Sequence, residues 1–522
     1  MNNFSISAVD EMQQAGAGTR EVSRVTEKYE ELSRQFCLNY QKIFGDDNAM
    51  KTVVIIPSLS VDQQILARVH GSVYYEERLL CLLMLLRMPA TNLIYVTSVP
   101  IDPVIVDYYL HLLPGITGYH ARNRLTMLCC YDATPKPLTE KILERPRLMN
   151  RIRSSVPPGS FAHITCFNTT DCERILAVQL GMPIYGCNPS LLNHGSKSGS
   201  RKIFRECGIS LPAGFEDLRD ESDIAEAIAE LKQRNPDLQS AMVKMNDGFA
   251  GEGNAIFSFM KFDSAGNLKA KIKTHLRNSL KIVDGNMDYD GFMQKFNSMH
   301  GIVEEYVEGE IKHSPSVQGR INPLGEVQVL STHDQVLGGS FKQVFTGANF
   351  PANGEYAGEI GRAGYCIGKA LKEKGVIGRF GIDFISIKQN DGWKHYAIEI
   401  NLRKGGTSHP YLILQGLTIG KYDVESGIYH TANGQPRYYF CSDQVYNEAY
   451  RGLTSHDLID IAMYNRLQYD GSLQEGVVFH LIGALSQFGK MGAVCIGSTI
   501  ARANALYRLM LQVLNKEAKR FA

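Results

Sequence analysis

Short apolar runs alternate with amphipathic stretches between residues 51 and 194. Five of these runs are rich in β-forming residues: TVVIIPSL, NLIYVTSVP, LTMLCCYDA, AHITCFN and MPIYGCN. Helical stretches such as SVYYEERLLCLLMLL and TDCERILAVQLG separate them. Strands that alternate with helices predict an open parallel sheet. Residues 1–50 are polar with apolar positions at helical spacing, which predicts a surface helix that packs on the next domain.

The pattern changes again after residue 194. Residues 195–428 begin with a helix, RKIFRECG, and continue as a mixed α and β region. Residues 429–522 contain the apolar run VVFHLIGAL and end in a helix whose apolar face is formed by Ala505, Leu506, Leu509, Met510 and Val513. Both features are too apolar to be left in water. We expect them to pack on the preceding region, to help close the substrate end of its cleft and to offer a homodimer interface.

Composition and charge narrow the class of protein. A chain of 522 residues allows roughly three domains, and 44% hydrophobic with 21% charged residues is ordinary for a globular protein. The formal charge of +1 argues against nucleic acid as a partner. No run reaches the ~18 apolar residues of a membrane span, and the N-terminus has no secretory pattern. The cysteines lack zinc-ligand or CxxC spacing. We therefore expect a cytoplasmic protein with reduced thiols and no membrane partner.

A glycine-rich turn lies between two predicted strands in AMVKMNDGFAGEGNAIF. Gly248, Gly251 and Gly253 would let backbone N–H groups approach a polyphosphate, and Lys244 would add a point charge. The spacing matches neither the P-loop nor the dinucleotide-binding fingerprint. A plain β-hairpin is the alternative explanation for this stretch.

Adjacent acids end another predicted strand. In GIVEEYVEGE, residues 301–310, a strand runs into two acids, which Tyr306 and the apolar Val307 separate from a third acid before glycine. This pattern is typical of a linker that hydrogen-bonds a purine edge and ribose hydroxyls. An acidic strand end exposed to water is the alternative.

Two carboxylates and an amide are placed to converge. Asp383 in GRFGIDFISI and Glu399 in YAIEINLRKGGTSHP lie in β-type runs joined by the turn KQNDGWKH, so neighbouring strands can bring them together. Asn401 lies two residues beyond Glu399 and therefore on the same face. Carboxylate and amide oxygens suit Mg²⁺, which keeps waters and substrate phosphates as its other ligands. An unpaired acid pair in an apolar sheet would be costly, so the pattern predicts a magnesium site.

Lys244 with its glycine turn, the VEEYVEG linker and the Asp, Glu and Asn in order resemble the ATP-grasp superfamily of carboxylate–amine ligases. The resemblance covers roughly residues 195–415, and the tail VVFHLIGALSQFGKMGAVCIGS is similar to the C-terminal domain of PGM1-type peptide ligases. It implies an α/β and α+β fold. The implied order is a helical extension (1–50), a pre-ATP-grasp parallel-sheet domain (51–194), a two-lobed ATP-grasp domain (195–428) and a PGM1-type C-terminal domain (429–522).

The resemblance assigns nucleotide and metal roles to single positions. Lys197 and Arg201 match a family pair in which the second basic residue reaches the phosphates, and Lys202 is a rival to Arg201. Glu308 and Glu310 are both candidates for the ribose-binding acid. The implied cofactor-binding set is Arg201, Lys202, Lys244, Gly248, Gly251, Gly253, Glu304, Glu305, Val307 and Glu310, and the implied metal ligands are Asp383, Glu399 and Asn401.

Catalytic roles are implied for Arg403, Gly405, Arg320 and Arg379. Arg403 would stabilise the negative charge that gathers beside magnesium, and Gly405 would offer its backbone N–H ahead of a helix capped by Thr407 or Ser408. Arg320 would bind a substrate carboxylate, with a structural acid as the alternative partner. Arg379 would reach a phosphate.

The implied activity is ATP-dependent formation of an amide or peptide bond through an acyl phosphate. Its cofactors would be ATP and Mg²⁺, with Mn²⁺ as a substitute. Its substrates would be an amino-acid or peptide carboxylate and an amine, in the biosynthesis of natural products or other small molecules. The alternative is a catalytically silent nucleotide-binding module on the same scaffold. The presence of Arg403 and all three metal-ligand candidates favours the enzyme.

Overall fold

The computed structural model describes residues 18–61, 63–248, 253–259, 268–283, 287–338 and 344–520. Gly251, which the glycine-turn prediction includes, lies outside the described residues. Within these ranges, no helix combines the length and the apolar character needed to cross a membrane.

A parallel sheet forms the first layer, as the alternating pattern predicts. Its strands are β1 (Lys51–Ile56), β2 (Thr91–Thr97), β3 (Leu125–Cys129) and β4 (Phe161–Cys166), in the order β3-β2-β1-β4. The prediction of a fifth strand at MPIYGCN was wrong, since this run makes only an isolated bridge between Ile164 and Ile184. Pro183 has no N–H to donate to a ladder.

Both faces of this sheet are buried, because alternate residues of β1 enter different cores. Val53 and Ile55 lie in one hydrophobic cluster and Val54 and Ile56 in another. The flanking helices and one 3₁₀ segment are α1 (Gly18–Phe44), α2 (Gln63–Arg68), the 3₁₀ segment Ser72–Arg87, α3 (Pro103–His111), α4 (Gly118–Arg122), α5 (Leu138–Leu143), α6 (Pro146–Ser154) and α7 (Asp171–Leu180). The predicted N-terminal helix is confirmed as α1, and its Phe36 ring stacks on Phe161.

An antiparallel sheet forms the smaller lobe of the following region, with strand order β5-β9-β6-β7-β8. Its strands are β5 (Gly214–Leu218), β6 (Ser240–Met245), β7 (Asn254–Ser258), β8 (Leu280–Ile282) and β9 (Gly301–Glu305). The helices of this part of the chain are α8 (Lys197–Glu206), which follows the 3₁₀ turn Pro189–Gly195, then α9 (Glu221–Arg234), α10 (Leu268–Ser279) and α11 (Tyr289–Met299). This lobe has a hydrophobic core of its own, which includes Val243, Phe257 and Phe296.

A nine-stranded sheet forms the larger lobe, in the order β10-β14-β11-β12-β13-β18-β20-β19 with β15 paired to β14. Its strands are β10 (Lys312–His313), β11 (Pro315–Ile321), β12 (Val327–Gly338), β13 (Val344–Phe350), β14 (Gly378–Gln389), β15 (Gly392–Asn401), β18 (Tyr438–Tyr446), β19 (Gly476–His480) and β20 (Lys490–Gly497). The remaining elements are the hairpin β16 (Lys421–Asp423) with β17 (Ile428–His430), helices α12 (Ala357–Glu373), α13 (Ser408–Thr418), α14 (Ser455–Tyr464), α15 (Leu485–Phe488) and α16 (Ile500–Arg520), and the 3₁₀ turns Glu448–Gly452 and Ile482–Ala484.

The C-terminal segment continues the sheet of the larger lobe. Strand β18 pairs with β13, with Ala348 opposite Cys441 and Phe350 opposite Tyr439. The expectation that this segment packs on the preceding region is therefore confirmed. The division at residue 428 stays a prediction, and one sheet runs across it.

The terminal helix buries a different stripe from the one predicted. Its buried residues are Ala503, Leu506, Met510, Leu514 and Ala518. The inclusion of Leu509 in the apolar face was wrong, because its side chain is 43% exposed. A helix turns by about 100° per residue, so a stripe through Leu506 and Met510 leaves Leu509 to one side.

Met510 and Leu509 offer a matched test of this packing. Met510→Ala should lower the apparent melting temperature, because a buried Met→Ala change costs about 2–5 kcal/mol. Leu509→Ala should leave it nearly unchanged, since exposed substitutions stay within about 0.5 kcal/mol. Thermal denaturation followed by circular dichroism checks both. Equal shifts for the two variants would contradict the assigned helix face.

Candidate active site

The hairpin β14–β15 carries the three predicted metal ligands. Asp383 is paired directly with Glu399 across the hairpin, and Asn401 lies two residues further on the same face. Asn401 Nδ2 donates to Asp383 Oδ2 (3.0 Å), and Gln335 Nε2 on β12 donates to Asp383 Oδ1 (2.7 Å). The structure therefore brings the two carboxylates and the amide together.

The two carboxylates have different electrostatic environments. Burial and the charge of Glu399 raise the pKa of Asp383 to about 6. Burial also opposes the ionisation of Glu399. Lys197 Nζ lies 2.5 Å from Glu399 Oε1. The charges of Lys197 and Arg403 outweigh burial and hold the pKa of Glu399 below its ordinary value. The raised pKa of Asp383 follows from its burial and from the adjacent charge of Glu399. Two carboxylates and an amide oxygen in one place are hard oxygen donors that fit Mg²⁺.

Glu304 is the centre of a buried cluster of three charges. Its Oε1 accepts from Lys244 Nζ on the neighbouring strand (2.5 Å), and its Oε2 accepts from Arg201 Nη1 on α8 (2.8 Å). The three residues are between 2% and 7% exposed. Arg201 Nε also donates to Glu216 Oε2 (3.2 Å). The residues expected at the purine and at the phosphates thus lie in direct contact with one another.

The linker after β9 contains the other expected nucleotide contacts. Val307 is buried, and its carbonyl accepts from Lys312 Nζ (2.9 Å). Glu305 Oε1 accepts from the Ala213 N–H (3.1 Å), and Glu310 is exposed. Burial and a neighbouring lysine lower the pKa of Lys312. Lys312 is a cation beside the linker that the sequence did not single out.

Arg403 and Gly405 lie in the loop between β15 and α13. Arg403 is half-buried. Burial lowers the pKa of its guanidinium, and the negative charges of Glu399 and Asp383 partly offset that effect. The Gly405 N–H donates to Ser408 Oγ (2.9 Å), and that hydroxyl donates to Gln318 Oε1. The Gly405 N–H expected to face phosphate is therefore satisfied inside the loop. Thr407 is the residue before α13, but its side chain makes no capping hydrogen bond.

Lys404 anchors this loop to the parallel sheet. Its Nζ donates to Thr165 Oγ1 (3.0 Å) and to the Cys166 carbonyl on β4. Burial lowers the pKa of Lys404 to about 8. The loop that carries Arg403 is thus held by the domain that precedes it in the chain.

Arg320 and Arg379 face one another on paired strands. They occupy opposite positions of β11 and β14, and Arg320 Nη2 donates to Gln328 Oε1 (2.6 Å). Among the described residues, the buried atoms Arg320 Nε and Arg379 Nη1 have no hydrogen-bond partner. Burial and the charge of Arg320 lower the pKa of Arg379 to about 10. Opposed like charges with unpaired buried N–H groups suit an anion.

Some predicted residues lie outside these clusters. Lys202 is half exposed and pairs with Asp217 (2.7 Å), because it projects from another side of α8 than Arg201. Gly248 is exposed. Gly253 has φ +82°, and its carbonyl accepts from the Met245 N–H (2.9 Å), which closes the β6–β7 turn.

Comparisons with known proteins agree with this architecture. A family model described as IQCH-like ATP-grasp matches residues 191–283 and 270–425, and a model of the PGM1 C-terminal domain matches residues 457–510. The ADP complex of purK, N5-carboxyaminoimidazole ribonucleotide synthetase, is similar over 90% of this chain and 98% of that chain, with TM-score 0.51 and 13% identity. At that identity the likeness shows the fold alone. The fold and site define an ATP-grasp protein with a PGM1-type C-terminal segment.

The sequence relatives define the family more closely. L-propargylglycine–L-glutamate ligase of Streptantibioticus cattleyicolor is 30% identical over 461 residues, which cover 87% of this chain and 92% of that protein. IQ motif-containing protein H of Danio rerio is 21% identical over 424 residues, which cover 73% of this chain but only 40% of that protein. The chain belongs to the ATP-grasp family of ligases. It is an ATP-dependent enzyme that forms carbon–nitrogen bonds, which sets aside the catalytically silent alternative.

Asp383→Asn and Glu399→Gln test the metal-ligand assignment. Each removes one charge at nearly constant volume, so we expect ATP-dependent turnover to fall at least ~10²-fold while the circular dichroism spectrum stays unchanged. Asp391→Asn, in the exposed turn of the same hairpin, is the matched control and should keep full activity. Near-normal activity of either site variant at saturating Mg²⁺ would contradict the assignment.

Lys244→Met tests the nucleotide site while retaining most of the buried side-chain stem. Removal of the ammonium should weaken binding of a non-hydrolysable ATP analogue about 10-fold or more, because a hydrogen bond to a charged group contributes about 1.5–3 kcal/mol. Isothermal titration calorimetry measures this affinity. Lys281→Met, exposed on β8 of the same sheet, is the control. Unchanged affinity in Lys244→Met would move the phosphate contact to Arg201.

Proposed function

We propose that this enzyme uses ATP and Mg²⁺, for which Mn²⁺ can substitute, to join an amino-acid or peptide carboxylate to an amine through an acyl phosphate. The observation that carries the proposal is the convergence of Asp383, Glu399 and Asn401 beside Arg403. These side chains would hold the metal through their oxygens. A bound magnesium ion supplies Lewis-acid neutralisation of phosphate charge.

The buried cluster around Glu304 supports the nucleotide part of the proposal. Glu304 would accept a hydrogen bond from the purine amino group, and the linker backbone around Val307 would contact the purine edge. Lys244 and Arg201 contact Glu304 directly, and their side chains would turn from it toward the phosphates when the nucleotide binds. Lys312 would add positive charge at the linker. Glu308 and Glu310 both stay candidates for the ribose hydroxyls.

The chemistry follows from the charges around the loop. A carboxylate oxygen of the substrate attacks the γ-phosphorus, and the bond from phosphorus to the bridging oxygen of ADP breaks. The amine nitrogen then attacks the acyl carbon, the carbon–oxygen bond to phosphate breaks, and the departing phosphate takes the amine proton. Both steps gather negative charge near Arg403, whose guanidinium is suited to stabilise it.

The substrate carboxylate that does not react is proposed to bind between Arg320 and Arg379. An acidic amino acid, or a peptide that contains one, keeps such a second carboxylate when its other carboxylate is activated. A carboxylate would accept from the unpaired Arg320 Nε and Arg379 Nη1 and would relieve the repulsion between the two guanidinium groups. We assign Arg379 to this carboxylate and not to a phosphate, because its position on β14, four residues before Asp383, separates it from the proposed metal site.

The named ligase relative supports amino acids as the substrate class, because its name contains two of them. The experiment is a screen of all amino acids in pairs with ATP and Mg²⁺, in which ADP release and product mass are measured together. A product whose mass equals the sum of two amino acids minus water, formed with one ADP, is expected. The Glu399→Gln variant is the control for background hydrolysis. ADP release without a condensed product would overturn the substrate class.

Arg379→Gln should act on the carboxylate substrate alone. We expect its KM for that substrate to rise about 10- to 100-fold, because the variant removes a charged hydrogen-bond donor worth about 1.5–3 kcal/mol, while the KM for ATP stays unchanged. Arg362→Gln, which breaks an exposed ion pair with Glu425, is the control. Equal increases in both KM values would place Arg379 at the phosphates instead.

A further inference from the structure

Two histidines and an aspartate meet beside the loop between β15 and α13. His409 is in the first turn of α13, Asp443 is on β18 and His480 ends β19. All three are buried, with His409 2%, Asp443 6% and His480 1% exposed. The mechanism above uses none of these residues.

Three ligand atoms of this cluster lie at mutual contact distances. His480 Nε2 is 2.7 Å from Asp443 Oδ1, His409 Nε2 is 3.1 Å from the same oxygen, and the two Nε2 atoms are 3.1 Å apart. The ligand atoms of a zinc site, each 2.0–2.2 Å from the ion, lie about 3.3 Å from one another. The observed triangle is smaller, so its three atoms would move apart by about 0.2–0.6 Å to hold the ion.

Hydrogen bonding cannot satisfy this triangle. If both neutral imidazoles donate from Nε2 to Asp443, the contact between the two nitrogens sets one donor against another. If one Nε2 instead accepts from the other, it has no proton left for the carboxylate oxygen beside it. While the carboxyl group is ionised and both imidazoles are neutral, one of the three contacts is therefore repulsive. A single cation between the three atoms removes the conflict.

A neighbouring arginine contacts the carboxylate of this cluster. The second oxygen of Asp443 lies 3.6 Å from Arg78 Nη1, an outer contact that orients the carboxylate.

The backbone around His480 leaves space for this arrangement. Gly492 is paired with His480 on the adjacent strand, and a Cβ at that glycine would lie 2.0 Å from His480 Nε2. Any side chain at residue 492 would therefore displace the imidazole. Leu481, directly after His480, has φ +54°, an unfavourable conformation for a non-glycine residue.

We propose that His409, Asp443 and His480 bind one Zn²⁺ ion, with a fourth position open to water. Two neutral imidazoles and one carboxylate form a three-ligand set typical of zinc sites that keep an open position. The ion would tie His409, four residues after Gly405, to the C-terminal strands. This proposal is independent of the proposed substrate class, since its test measures metal binding and not turnover.

The full-length enzyme is stripped with a chelator and titrated with Zn²⁺ or with Co²⁺, in excess Mg²⁺ so that the hard oxygen site is occupied. We expect one Zn²⁺ per chain by elemental analysis, the visible absorption of Co²⁺ in a nitrogen–oxygen site, and a rise in apparent melting temperature with Zn²⁺. Asp443→Asn and His480→Gln should each weaken binding at least ~10-fold.

His333→Gln is the matched control, because His333 is equally buried in the same sheet but contacts only a tyrosine hydroxyl through Nε2. It should bind Zn²⁺ as the unmodified enzyme does. A failure of the unmodified enzyme to bind Zn²⁺ would overturn the proposal without depending on how any variant folds. Equal binding by Asp443→Asn, measured in protein with an unchanged circular dichroism spectrum, would overturn it as well.

Discussion

The structure of the candidate active site depends on the direct opposition of Asp383 and Glu399 on neighbouring strands. Like charges at paired positions of a sheet repel one another, and burial strengthens that repulsion. Lys197 from α8, Arg403 from the loop and Gln335 from β12 converge on the pair. Elements from several parts of the chain therefore contact the pair, and the proposed magnesium ion would add a further positive charge there.

Most of the buried cationic groups are likewise held in place by groups of opposite charge or by hydrogen-bond acceptors. Glu304 holds Lys244 and Arg201 in place, and Lys404 fastens the loop to the parallel sheet. Arg320 and Arg379 are the exception, because they oppose one another and their buried N–H groups lack protein acceptors among the described residues. Paired charges thus position the proposed nucleotide site and the loop, while the unpaired N–H groups of the two arginines fit the proposed anionic ligand.

The sequence predicts contacts that depend on a local pattern of residues. It does not predict contacts between elements that are distant along the chain. The period-two alternation and the turn KQNDGWKH were enough to place Asp383, Glu399 and Asn401 together. Gln335 and Lys312 were missed, because their contacts depend on strand order in a sheet with long connections. The local sequence does not distinguish Lys202 from Arg201 as the phosphate-binding candidate, because the choice depends on which face of α8 is packed. The Gly405 N–H was expected to be free, since nothing local shows that Ser408 would take it.

The transfer of oxygen from the substrate carboxylate to phosphate tests the central claim most directly. An acyl phosphate formed at the Asp383–Glu399 site requires that one carboxylate oxygen leave with the γ-phosphoryl group. With the carboxylate substrate labelled with ¹⁸O, mass spectrometry of the released phosphate should detect one ¹⁸O atom per ADP formed. Unlabelled phosphate, or AMP and pyrophosphate as products, would contradict the account.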